Sequence, residues 1–137
     1  MTFERTAAEI LRRGLAIRFL ATGDSMHPSI RHGEHVHVAP VDARALHIGD
    51  IVLARAERGL TAHRIVQLMS DAVTTRGDNA LRRDAALPPN AIIGRVTHVE
   101  RGGASVAVPS APLRIRVAAH RVRRHLFSLS QLIRSFV

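Results

Sequence analysis

Between residues 34 and 108 the chain repeatedly changes sides. EHVHV (34–38) and LTAHRIVQL (60–68) alternate polar with apolar residues, and IVLA (51–54) is a short apolar run behind the turn pair Gly49-Asp50. AVTTR (72–76) follows Ser70-Asp71, AIIGRVTHV (91–99) follows two prolines, and ASVAV (104–108) follows RGG. A period of two puts successive side chains on opposite faces, so each run is a strand, and the punctuation between runs is turn chemistry. ERG (57–59) fits a hairpin turn between the second and third runs. Many short strands with frequent turns predict an all-β fold, a coiled sheet or small barrel. Residues 3–13 precede it as a short amphipathic helix, with Phe3, Ala7, Ile10 and Leu11 on one face and Gly14 as the stop.

VPSAPL (108–113) reads as a boundary, giving a β-domain over 1–110 and an extension over 111–137. In the extension Ile115, Ala119, Val122, Leu126, Leu129, Ile133 and Phe136 recur at helical steps, opposite Arg114, Arg116, Arg121, Arg123, Arg124 and Arg134. Such a basic amphipathic helix can cap the β-domain, bind a partner or lie on an anionic membrane through 113–136. No run reaches the ~20 apolar residues of a membrane-spanning helix. The charged N-terminus lacks the apolar core of a signal peptide. The expectation is therefore a cytoplasmic protein with a route to peripheral membrane contact. Its oligomeric state is not written in the sequence.

The 137 residues suffice for one core. Cysteine is absent, which removes disulfides, thiolate metal sites and cysteine nucleophiles. The net charge of +9 is carried without a single lysine; all 20 basic side chains are arginine. Nucleic acid is disfavoured as a partner despite the charge, because Trp and Tyr are absent and only four Phe are present to stack on bases.

One serine is set apart by its surroundings. ATGDSMHPSI (21–30) closes a strand-like stretch with Gly23 and Asp24, delivers Ser25 at the turn, and stiffens the exit with Pro28. A serine hydroxyl is a weak nucleophile until a base takes its proton. With no lysine in the chain, histidine is the remaining common base. Of nine, His63 lies within the strand LTAHRIVQL, sharing a face with Thr61 and Ile65, though a histidine on a strand is more often a packed or surface residue than a base. His32, His35 and His37 cluster in HGEHVH and invite a metal reading. Yet His35 and His37 form the outward half of an alternation with Val36 and Val38, and no dense downstream ligand group completes a set, so no metal or cofactor is expected. TTRGDNALRRD (74–84) supplies two acids after a strand, Asp78 and Asp84. Either could be an ordinary turn or surface charge, or could orient a histidine base.

Taken together, GDSMHPSI, GDIVLARAERGLTAHRIV, TRGDNALRRD and IIGRV resemble, in order and spacing, the signal peptidase and LexA-type serine peptidases, over roughly residues 15–100. The resemblance implies the coiled all-β fold of that superfamily. It is closest to the branch with histidine in place of lysine, the archaeal and endoplasmic-reticulum type, since HRIV is similar to the HRV box. By motif, Ser25 matches the nucleophile, His63 the base and Asp84 the orienting acid, with Asp78 in support. Met26 is expected to line a shallow pocket for small residues. Gly23 stands where some relatives carry an oxyanion-stabilising hydroxyl. Only 24 residues precede Ser25, too few and too charged for a membrane anchor or a helix-turn-helix domain. The expectation is a compact, stand-alone bacterial unit: a serine endopeptidase acting on a leader, signal-like or precursor peptide. The alternative is a non-catalytic peptide- or partner-binding module that keeps the peptidase fold.

Overall fold

The computed structural model describes residues 2–57 and 59–109. The helical extension expected over 111–137 lies outside the described residues. Helix α1 spans Phe3–Arg12, and the Thr2 hydroxyl caps its start by accepting from the Arg5 N–H. Among the described residues seven strands follow: β1 (Ile17–Leu20), β2 (His35–Ala39), β3 (Ile51–Ala56), β4 (Gly59–Leu68), β5 (Val73–Arg76), β6 (Ile92–Arg101) and β7 (Ala104–Ala107). They form one antiparallel sheet in the order β1-β2-β6-β3-β4-β5, with β7 also pairing β6. The all-β architecture with a short N-terminal helix is thus as the alternation requires. The strand-like stretch before Ser25 is shorter than its closing turn at Gly23 and Asp24 suggests, because β1 ends at Leu20.

The parity of each strand sorts its side chains between two cores. In β3, Ile51 and Leu53 enter a core with Leu11, Met26, Val36, Val38, Leu60 and Ala62. Val52 and Ala54 face the other way, into a second core with Leu46, Ile65, Val73 and Ile92. This explains why β3 reads as an unbroken apolar run: both of its faces are buried. β4 lies beside it in register, with Val52 opposite His63 and Ile51 opposite Arg64. His63 is thereby delivered to the second-core face, and Arg64 to the first. Among the described residues, no helix is long and apolar enough to cross a membrane.

Candidate active site

The loop from Ala21 to Glu34 leaves the sheet and returns to it. Its base is tied by the Ala21 N–H to the Glu34 carbonyl (2.8 Å) and by the Gly33 N–H to the Ala21 carbonyl (2.9 Å). Gly23 turns the chain at φ +86°, a left-handed conformation that side chains with a Cβ disfavour. Its N–H donates to His32 Nδ1 at 2.9 Å. Two residues on, Ser25 is half-buried and its Oγ lies 3.0 Å from His63 Nε2. The other ring nitrogen, Nδ1, lies 2.6 Å from Asp84 Oδ2. A carboxylate can only accept, so it holds the proton on Nδ1 and leaves Nε2 to accept from the serine hydroxyl. Asp84 Oδ2 also accepts from the Thr75 hydroxyl at 2.7 Å, and the Asp84 N–H donates to the Thr75 carbonyl at 2.8 Å.

Strand pairing creates this juxtaposition. Ile65 on β4 is opposite Thr75 on β5, so Thr75 stands close to His63 and brings Asp84 against the imidazole. Burial alone would raise the Asp84 carboxyl. The hydrogen bond and charge of His63, with the Thr75 hydroxyl, outweigh it and hold the carboxyl below its ordinary range. Because its folded pKa is depressed, Asp84 contributes stability that is complete above its unfolded value of ~4 and is lost as pH falls through the lower folded value. Melting temperature should therefore start to fall only below about pH 4 through this group, and Asp84→Asn should flatten that fall in melts from pH 7 to 3.

The turn 77–79 seals the pair from beneath. The Asn79 N–H donates to the Ser25 carbonyl at 2.9 Å, and Asn79 Nδ2 donates to the Asp24 carbonyl at 3.1 Å. A Cβ on Gly77 would sit 2.6 Å from the Ser25 carbonyl oxygen and 3.2 Å from His63 Nε2, which is why no side chain fits there. Asp78 points away from the histidine. Its carboxylate takes Arg64 Nε at 2.8 Å and Nη2 at 2.7 Å, and accepts from the Ser29 hydroxyl at 2.6 Å. Arg64 and Asp78 side chains are only 3% and 4% exposed, and Arg64 Nη1 reaches the carbonyls of Gly49 and Pro109. Asp78 thus meets a buried arginine rather than His63. Met26 does not line an open pocket either: it is 2% exposed, packed in the first core, with its sulfur 3.3 Å from the Asp78 N–H.

The open space lies elsewhere. A groove of ≈ 380 Å³ runs past His63, Thr75 and Asp84, walled by Ala54, Ala56, Ala85 and Leu87. Elsewhere on the sheet His37 of β2 stacks on His98 of β6, with ring centroids 4.0 Å apart. His37 Nε2 is 3.3 Å from Glu100 Oε2 but makes no hydrogen bond. Among the described residues, no group of three His, Cys, Asp or Glu is arranged to hold a metal ion.

Arg64, Ser29 and Thr75 were not singled out by sequence reasoning. A signal for Arg64 was present: Leu60, Ala62 and Arg64 share the inward parity of β4, and an arginine there needs a buried acid.

Among the described residues, one seven-stranded sheet carries a serine, a histidine and an acid in a continuous hydrogen-bonded chain beside a groove. A family model described as Peptidase S24-like matches residues 6–97, more than half of the chain. The chain belongs to that family, and hence to the LexA/signal peptidase superfamily. Comparison with curated proteins and with solved structures gives no match.

Proposed function

We propose that this protein is a serine endopeptidase of the Ser–His type, with Ser25 as nucleophile, His63 as general base and acid, and Asp84 as the group that orients the imidazole. The observation that carries this reading is the continuous chain Ser25 Oγ–His63 Nε2–His63 Nδ1–Asp84 Oδ2, at 3.0 and 2.6 Å, in a sequence without lysine. Ser25 Oγ attacks the scissile carbonyl as its proton passes to Nε2, and Asp84 stabilises the imidazolium. The imidazolium then protonates the leaving amine, which departs as the acyl-enzyme forms. Water, deprotonated by the same nitrogen, releases the acid and restores Ser25. The developing oxyanion would take the N–H of Ser25 as one donor, since Gly23 offers no hydroxyl.

The groove beside His63 is suited to a substrate side chain flanking the scissile bond, with alanine and leucine walls giving it an apolar lining. A leader, signal-like or other precursor peptide presented as an extended segment fits this arrangement. Comparing the protein N-termini of cells carrying wild type and Ser25→Ala tests it. New N-termini that depend on Ser25 are expected. Their absence, together with retained binding of an extended peptide, would favour a non-catalytic module.

Two lesser predictions follow from the site and its extension. Thr75→Val removes a donor from Asp84 while keeping the shape, and should lower kcat about tenfold, the equivalent of ~1.4 kcal/mol in the barrier. A steady-state assay on a cleaved peptide measures it. If residues 113–136 bring the enzyme to membranes, deleting 112–137 should abolish sedimentation with anionic vesicles while activity persists. A truncated protein that aggregates would assign the segment to the fold instead.

A further inference from the structure

Ser25 sits on a loop, and a loop meets the sub-ångström tolerance that catalysis needs only when the surrounding structure braces it. Here the loop encloses a second ion pair, separate from Arg64–Asp78. The Glu34 side chain is only 10% exposed. It receives Arg101 Nε on Oε2, and Arg101 Nη2 (3.0 Å) and the Arg31 N–H (2.7 Å) on Oε1. The same Nη2 faces the carbonyls of Pro28 at 3.3 Å and Ser29 at 3.4 Å. Arg101 closes β6, so the loop's interior is gripped from a strand remote in sequence. Burial alone would raise the Glu34 carboxyl; Arg101 and the Arg31 N–H overcome this and hold it below its ordinary range.

An ion pair like this one, with Arg101 30% exposed, adds little net stability, but it can fix one arrangement among several. This one bonds to backbone carbonyls, which an apolar side chain could not satisfy. Ser29 is held from both directions: its carbonyl faces Arg101 and its hydroxyl meets Asp78 and Arg64. The span between Gly23 and Ser29, which includes Ser25, is therefore tied at each end.

We propose that Arg101 and Glu34 are positioning residues for Ser25, clamping the 21–34 loop so that Oγ stays within reach of His63 Nε2. The catalytic consequence rests on the peptidase reading; the ordering of the loop does not.

The test uses the full chain with Arg101→Gln, Glu34→Gln and Arg101→Lys. For the two glutamine variants, kcat and the rate of phosphonate labelling should fall about tenfold, with KM and the pH midpoint unchanged. Arg101→Lys should recover only part of the loss, because an ammonium cannot serve carboxylate and carbonyls through a planar fork. Amide hydrogen exchange supplies a readout independent of catalysis. The amides of Gly23, Ile30 and Gly33 should exchange faster in Arg101→Gln, while those of β4 stay as in wild type. Folded variants with wild-type labelling and wild-type loop exchange would overturn the proposal. If wild type is never labelled while loop exchange still rises on substitution, the clamp is supported and the peptidase reading falls.

Discussion

Ser25→Ala and His63→Ala should each reduce peptide cleavage by on the order of 10⁴-fold or more, and Ser25→Ala should do so with little change in melting temperature. Serine and histidine in such a chain act as a unit, so removing either forfeits nearly all that both supply. Ser25 lies in a loop, half-buried, and its Oγ is bonded to His63 alone among the contacts that define the site. Its loss leaves the fold's two cores intact. The double variant should be no worse than the worse single one, and this non-additivity separates a shared mechanism from two independent defects. Steady-state assays on one peptide, with thermal melts of each variant, measure both quantities. An active His63→Ala enzyme would rule out the histidine base.

The largest effect on stability should come from Asp78→Ala. It strands the Arg64 guanidinium, whose side chain is 3% exposed, without a counter-charge. Breaking such a pair by removing one partner costs about 3–5 kcal/mol. For a domain of this size that corresponds to a fall of roughly 10–20 °C in melting temperature. Ser29 would also lose its acceptor, and the turn 77–79 beneath Ser25 would loosen, so activity should fall with stability. Urea unfolding of Asp78→Ala against wild type gives the free energy directly. A variant of unchanged stability that lost all activity would instead mean that Asp78 acts in the chemistry.

The strands were legible because both faces of this sheet obey a simple alternation. Val36 and Val38 turn inward from EHVHV, and Ile51, Val52, Leu53 and Ala54 are all buried because β3 has a core on each side. The candidate triad was legible only through the order of four short motifs. Ser25 and His63 are 38 residues apart, and no local period links them. The polar framework was not legible. Arg101 meets Glu34 across 67 positions and Arg64 meets Asp78 across 14, distances over which only strand pairing brings groups together. The family resemblance implies a pocket role for Met26, but the turn after Ser25 aims it into the core beneath the loop. Between the two acids of TTRGDNALRRD, spacing offers no choice. The hydrogen bonds between Thr75 and Asp84 settle which carboxylate stands beside His63.

Whether His63 makes Ser25 a nucleophile is read by exposing the full chain to a serine-reactive fluorophosphonate and mapping the adduct by mass spectrometry. The hydroxyl must lose its proton as phosphorus is attacked, so labelling reads the dyad without knowledge of any substrate. A single adduct is expected, on Ser25, forming more slowly as pH falls and absent from Ser25→Ala and His63→Ala. An unlabelled wild type, or an adduct on Ser25 that forms equally fast in His63→Ala, would contradict it.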